Sequence, residues 1–377
     1  MNHLPNVEAE RFRESVRTWL AENVPSEPRP SDGPELREYD VAWQRRQFEA
    51  GWAGIDWPVE YGGRGLSLVE QVIWYEELCR ARAPEKSVLA AGLNQIGHTL
   101  MASGSEEQKR EHLAPVLSGD VVWCQGFSEP DAGSDLASLS TRGILDGDDL
   151  VVTGSKIWTT YGPYAEMQGL LLRTDPDVPK HKGLSWVICD LRSPGIEIRP
   201  IRTIDGNAEF SEVFYDEVRI PVANVVGAIN GGWGVAMSTL AMERGPAFLD
   251  SKLAMIRVVE DLIEIAGEHN LLADEAIAQR LARARAATLA VRSLAYLSIS
   301  GGQAEYEPAT MGSAVAIFQN ELRKEIARLA VDLLGHSTLE AGPWTERWTN
   351  SFCATIAGGT TEIQRNITGE RALGLPR

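Results

Sequence analysis

Cysteine is scarce in this 377-residue chain, and its four copies lie far apart. Cys79, Cys124, Cys189 and Cys353 form no C-x-x-C pair, so neither a zinc cluster nor a disulfide framework is expected. A reducing cytoplasm is the simplest expected location. Long apolar runs are missing as well: none reaches the ~18 residues of a membrane span. The N-terminal stretch carries Glu8, Glu10 and Glu14 and lacks the apolar core of a secretion signal. Basic charge is in deficit, with 36 Lys and Arg against 53 Asp and Glu and a formal net charge of −17. Nucleic acid is therefore not an expected partner, because phosphate binding needs clustered Lys and Arg. A local basic funnel for one anionic substrate is still allowed. The chain has no G-x-x-x-x-G-K-[ST], no H-E-x-x-H and no G-x-S-x-G. Its glycine-rich stretch from Gly227 to Gly234 lacks the spacing of a dinucleotide fingerprint and reads as a domain hinge. The six histidines are scattered, and no metal site is expected.

What is present is ordinary globular composition, 44% hydrophobic and 24% charged, enough for two or three subdomains. Residues 7–22 carry apolar side chains at helical spacing, and similar patterns recur around 38–51, 67–82 and in pieces over 86–117. Ser105-Glu106-Glu107-Gln108 is a helix start. From about Val121 to Val226 the character changes to short Val, Ile, Thr and Trp runs. Residues 150–153, 170–173, 185–189 and 212–215 read as strands. Helical patterns return over 233–266, 273–299, 308–334 and from Thr361 onward. Strands segregated between helical blocks argue for an α+β multidomain protein rather than a Rossmann fold. The expected parts are an N-terminal helical domain (1–120), a middle antiparallel β-domain (121–230) and a C-terminal four-helix bundle (231–377).

Two segments of the β-rich part stand out. Phe127-Ser128-Glu129-Pro130-Asp131-Ala132-Gly133-Ser134-Asp135 is a turn of small and hydroxyl residues, able to bring backbone N–H groups close to a ligand. Lys156-Ile157-Trp158-Thr159-Thr160 pairs a flat aromatic surface with two hydroxyls. Between them lies the length of a strand, a tight turn at Asp146-Gly147-Asp148 and a second strand. Together they form two walls suited to a planar, hydrogen-bonding cofactor. Read singly, each is also an ordinary polar hairpin turn.

The order of these motifs resembles the acyl-CoA dehydrogenase family of flavoproteins. The resemblance rests on F-S-E-P-x-A-G-S-D, on K-x-W-x-T, and on the C-terminal Gly359-Thr360-Thr361-Glu362-Ile363-Gln364-Arg365. Tyr61-Gly62-Gly63-x-Gly65 and the Ser105 to Lys109 stretch are similar to the family too. It implies FAD as cofactor and an acyl-CoA thioester as substrate. In the family a carboxylate removes the α-proton, the β-hydrogen leaves as hydride to flavin N5, and electrons pass to an electron-transferring flavoprotein. Carried over by position, Phe127 and Ser128 contact the ring edge, and Ser134 lies near FAD and the CoA chain. Trp158 flanks the isoalloxazine, while Thr159 and Thr160 belong to the same wall, with Thr160 near N5. Thr360 and Glu362 are further FAD contacts. Gln125 fills a position that is often aromatic in relatives.

Many family members place the catalytic Glu just before the C-terminal Gly-Thr. This chain has Gly358 there, in Ala357-Gly358-Gly359-Thr360. Isovaleryl-type members carry the base on a helix early in the C-terminal part, directly before an Arg. Ala241-Met242-Glu243-Arg244 matches that solution. Glu243 is thus the expected base and Arg244 the expected CoA anchor; a plain surface Glu-Arg pair is the bland alternative. The N–H of Gly358 is expected to bind the thioester oxygen and stabilise the enolate. Thr361 and Gln364 have capping-box spacing, so this stretch also reads as a helix start.

Two elements with which homotetrameric relatives reach a neighbour's FAD are altered here. The Arg-x-x-Phe-Gly element is absent from the matching region, roughly Ile265 to Arg283, which contains Ala266-Gly267-Glu268-His269-Asn270-Leu271-Leu272-Ala273-Asp274, and Gln-x-x-Gly-Gly becomes Asp332-Leu333-Leu334-Gly335-His336. This resembles actinobacterial members that pair with a non-identical subunit and act on CoA thioesters of steroid side chains. The partner expectation is therefore a homo-oligomer or a heterotetramer with a related subunit. A flavin oxidase on the same fold and a non-catalytic partner subunit are the alternatives.

Overall fold

The computed structural model describes residues 7–242, 249–300 and 308–376. Its helices are α1 (Val7–Asn23), α2 (Pro34–Glu49), α3 (Leu68–Arg80), α4 (Gly97–Ser103), α5 (Glu106–Ser118), α6 (Gly232–Met242), α7 (Leu249–Glu268), α8 (Glu275–Ser300), α9 (Pro308–Leu334), α10 (Pro343–Ser351) and α11 (Thr361–Ile367). Its strands are β1 (Trp123–Gly126), β2 (Arg142–Asp146), β3 (Asp149–Thr160), β4 (Met167–Arg173), β5 (Leu184–Asp190), β6 (Ile196–Ile201), β7 (Phe210–Pro221) and β8 (Val225–Val226). The chain divides into two compact units. One holds α2, α4, α5, α6 and every described strand. The other gathers α1, α3 and the helices from α7 onward.

In the sheet-bearing unit the strands run in the order β6-β7-β3-β2-β4-β5-β8, and β1 adds to β4. Pairings are antiparallel except β1 with β4 and the single contact of β2 with β4. Asp146 pairs with Asp149, so the expected tight turn is the two-residue Gly147-Asp148, with Gly147 at φ 63. Period-two alternation sorts β4 and β5 onto two faces. Leu171, Trp186 and Ile188 join a core with Trp57, Ile96, Leu100 and Trp123. Leu170, Leu172, Val187 and Cys189 join another with Cys124, Leu150, Val152 and Val213.

Local sequence explains the helices around this sheet. Ser105 and Gln108 form a reciprocal capping box that opens α5, and Gly119 closes it in the left-handed region at φ 78. Pro34 is the first residue of α2, which therefore starts four residues before its apolar pattern does. Gly232, read as part of a hinge, has a packing role: a Cβ there would sit 2.4 Å from Ser185 C and Trp186 N. The first turn of α6 is thus laid directly on β5. At its other end Thr239 Oγ1 meets Thr99 Oγ1 at 2.8 Å, both buried.

In the helical unit, α7, α8 and α9 bury Val259, Leu262, Val291, Val315, Leu322, Ile326 and Ala330 in one core. α1 is tied to α3 by Arg13 and Arg17, which donate at 2.8 and 2.7 Å to the two oxygens of buried Glu77. Burial alone would raise the Glu77 pKa, but the two guanidinium groups outweigh it and hold it low. The segment from Thr361 continues past α11 as a π-turn over Thr368–Ala372.

Candidate active site

β1 ends at Gly126, and the chain then folds into the turn that the sequence singles out. Glu129 N donates to Ala132 O and Ala132 N to Glu129 O, each at 3.0 Å, leaving Pro130 and Asp131 at the corner. Phe127 is buried, Ser128 half-buried, and Gly133 and Ser134 are exposed. A Cβ on Gly133 would meet nothing within 4 Å, so backbone is open to a ligand there. Gln125 sits in β1, paired with Gly169 of β4.

The second segment is the last part of β3, and it contains a β-bulge. The β3–β7 register shifts between Lys156 and Thr159. Trp158 occupies the bulge in the left-handed region at φ 60, costly for an aromatic residue. The extra residue switches which side chains point inward. Leu150, Val152 and Lys156 are buried at even positions; beyond the bulge Thr159 is buried and Trp158 and Thr160 face out. Trp158 is 55% exposed and rests edge-on against Phe210, centroids 5.8 Å apart. A flat aromatic surface is thereby presented to solvent beside an outward hydroxyl.

The two segments meet. Ile157 N donates to Ser128 O at 2.9 Å. Fully buried Lys156 donates from Nζ to Phe127 O at 3.0 Å and to Glu129 Oε1 at 2.8 Å. Burial alone would raise the Glu129 pKa; the Lys156 charge and bonds from Lys156, Thr141 and Ser140 prevail and bring it to about 2. Burial lowers the Lys156 ammonium to about 8 against the pull of Glu129. Neither residue stood out as more than a motif letter in the sequence. The available signal was a Lys at an inward position of a strand.

A folded-state value below the ordinary 4.5 means that ionised Glu129 stabilises the fold above that pH. The contribution is lost as pH falls from about 4.5 toward about 2. Melting temperature should therefore drop more steeply between about pH 5 and 3 for the parent than for Glu129→Gln. Equal slopes would contradict this.

In the helical unit, Gly358 and Gly359 both have left-handed backbones, φ 64 and 90. Thr360 is the N-cap of α11, its hydroxyl accepting from Ile363 N at 3.2 Å. This corrects the capping-box expectation by one residue. Thr361 is already helical, and Gln364 donates to Gly358 O at 3.0 Å instead of reaching back to a cap. With two adjacent threonines, the one in extended conformation takes the cap. Glu362 lies exposed in the first turn. Glu243 and Arg244 lie outside the described residues.

Buried polar atoms nearly always find a partner. Among the described residues, Gln125 Nε2 and Thr159 Oγ1 in the sheet-bearing unit are buried without one, as are Thr361 Oγ1 and Gln364 Oε1 in the helical unit. Trp123 Nε1 and Trp186 Nε1, in the core of the sheet-bearing unit, are buried without one too. The exposed Trp158 ring, the outward Thr160 hydroxyl and the open backbone at Gly133 fit a flavin nucleotide.

Three family profiles match most of the chain. The profile for the acyl-CoA dehydrogenase N-terminal domain matches residues 6–120, that for the middle domain 124–218 and that for the C-terminal domain 230–373. Acyl-CoA dehydrogenase IpdE1 of Mycobacterium tuberculosis is 39% identical, covering 98% of both chains. The Tcur3481-Tcur3483 steroid ACAD structure is 32% identical with a TM-score of 0.88, covering both chains completely. The ChsE4-ChsE5 complex from Mycobacterium tuberculosis is 32% identical with a TM-score of 0.83, again over the full length of both. A helical, β-sheet and helical architecture matched by family profiles over all three domains, with a relative 39% identical over 98% of both chains, means that the chain belongs to the acyl-CoA dehydrogenase family of oxidoreductases.

Proposed function

We propose that this chain binds FAD and catalyses α,β-dehydrogenation of an acyl-CoA thioester, with Glu243 as the base. One observation carries the cofactor assignment. The 127–134 turn and the end of β3 are bonded side by side, and the bulge in β3 turns Trp158 and Thr160 outward beside that turn. Phe127 and Ser128 offer backbone and hydroxyl to the ring edge, Trp158 flanks it, and Thr160 donates its hydroxyl, while the Thr159 hydroxyl is buried on the inward face of the strand. Ser134 serves FAD and the CoA chain. Thr360 and Glu362, in the helical unit, are assigned FAD contacts by the family resemblance alone. Bound FAD supplies the acceptor for the β-hydrogen and passes electrons to an electron-transferring flavoprotein.

The protein's own task is the proton. A thioester α-proton is weakly acidic, so its removal needs an aligned carboxylate and an oxyanion donor. Gly358 has no side chain to act as base, whereas Glu243 follows directly on α6. The Gly358 N–H is the donor assigned to the thioester oxygen, and Arg244 anchors CoA.

Similarity to two structures whose names join two chains favours pairing with a second, related subunit. The altered stretches at 266–274 and 332–336 agree with that. Flavin content of the chain purified alone is the test. Substoichiometric FAD favours a pair, and full occupancy refutes an obligate one. A chain that takes up no FAD, alone or with a related subunit, overturns the cofactor assignment.

A further inference from the structure

Lys156 and Glu129 have no part in the chemistry just proposed, yet both are buried, at 0% and 6% exposure. Burying two ions is costly, and an apolar pair of similar volume is often equally stable. What an apolar pair cannot supply is direction. Lys156 Nζ donates to Phe127 O at 3.0 Å and to Glu129 Oε1 at 2.8 Å. The same Glu129 oxygen accepts from Thr141 N at 2.8 Å. Its other oxygen accepts from Ser140 N at 2.6 Å and Ser140 Oγ at 2.8 Å. Between Phe127 and Glu129, the Ser128 carbonyl is held by Ile157 N at 2.9 Å. Three stretches of chain, 127–129, 140–141 and 156–157, therefore converge on one ion pair. The bulge begins immediately after Lys156, so the lysine anchors β3 just before Trp158 leaves the regular ladder.

We propose that the Lys156–Glu129 pair is a positioning device that pins the 127–134 turn to β3 and so fixes both flavin-facing segments relative to each other. The inference rests on the FAD reading above. Neither side chain touches reacting atoms; each acts through the backbone of Phe127, Ser128 and Ile157.

The test is a double variant, Glu129→Leu with Lys156→Met, which keeps volume and leaves no charge unpaired. Its fold and melting temperature should stay close to the parent's. Amide exchange at Ser140, Thr141 and Ile157 should accelerate by about tenfold or more, as expected when a bond worth roughly a factor of ten is lost. The FAD dissociation constant should rise by a similar factor and the visible circular dichroism of bound flavin should change. Unchanged exchange at those amides together with unchanged FAD affinity and dichroism overturns the proposal. A purely structural pair would move the melting temperature and leave flavin affinity and dichroism alone. Should the double variant not fold, Glu129→Gln provides the same readouts with the volume and one acceptor retained. If the parent takes up no FAD, the FAD reading itself fails, while the exchange rates still decide whether the pair pins the turn.

Discussion

Replacing Glu243 by Gln should lower kcat by about a thousandfold, within the range for loss of a general base, while leaving FAD bound. Gln has the shape of Glu but cannot accept the α-proton. No neighbouring carboxylate fills the alternative position, because residue 358 is Gly. The approach to Glu243 is firmly held. α6 begins with Gly232 against the β5 backbone, buries Val235 and Ala236, and bonds Thr239 to Thr99. The last described residue before Glu243, Met242, thus ends a helix anchored in the sheet-bearing unit. Steady-state turnover with an acyl-CoA and an artificial electron acceptor measures the effect. Near-parental kcat in a flavin-loaded variant would remove Glu243 from the mechanism.

The second large effect concerns stability. Lys156→Met alone leaves Glu129 buried without its cation, and breaking a buried pair in this way costs about 3–5 kcal/mol. For a chain of this size the melting temperature should fall by on the order of 5–10 °C. Adding Glu129→Leu to it should restore most of that loss, because the second change removes the stranded charge. A single variant as stable as the parent would mean that the carboxylate finds another partner or takes up a proton. Melting curves of the parent, the single and the double variant at neutral pH decide it.

Much of this molecule was legible in its sequence where the information is local. The strand readings at 150–153, 170–173, 185–189 and 212–215 fall within β3, β4, β5 and β7. Gly147-Asp148 makes the expected turn, and Ser105 caps the expected helix. The small and hydroxyl residues of 127–134 marked a turn because that composition tolerates little else. What the sequence hid is non-local or contrary to propensity. The Glu129–Lys156 pair spans 27 positions, and no local pattern joins them. The bulge puts an aromatic residue in a left-handed conformation, which propensity argues against. The cap of α11 lies one residue before the position that the spacing suggests, because Thr360 and Thr361 are both competent caps. Helical periodicity gave no sign that α1 and α3 gather with the C-terminal helices, since periodicity marks a buried face without naming its partner.

Anaerobic mixing of the flavin-loaded protein with short, long, branched and steroid acyl-CoAs puts the proposed chemistry to the most direct test. The flavin's visible absorption should bleach with at least one thioester in a single turnover. It should recover on adding an electron-transferring flavoprotein, and only slowly in air. Rapid recovery in air alone would mark an oxidase. Flavin that stays oxidised with every thioester, in a protein fully loaded with FAD and with any partner subunit present, would contradict acyl-CoA dehydrogenation.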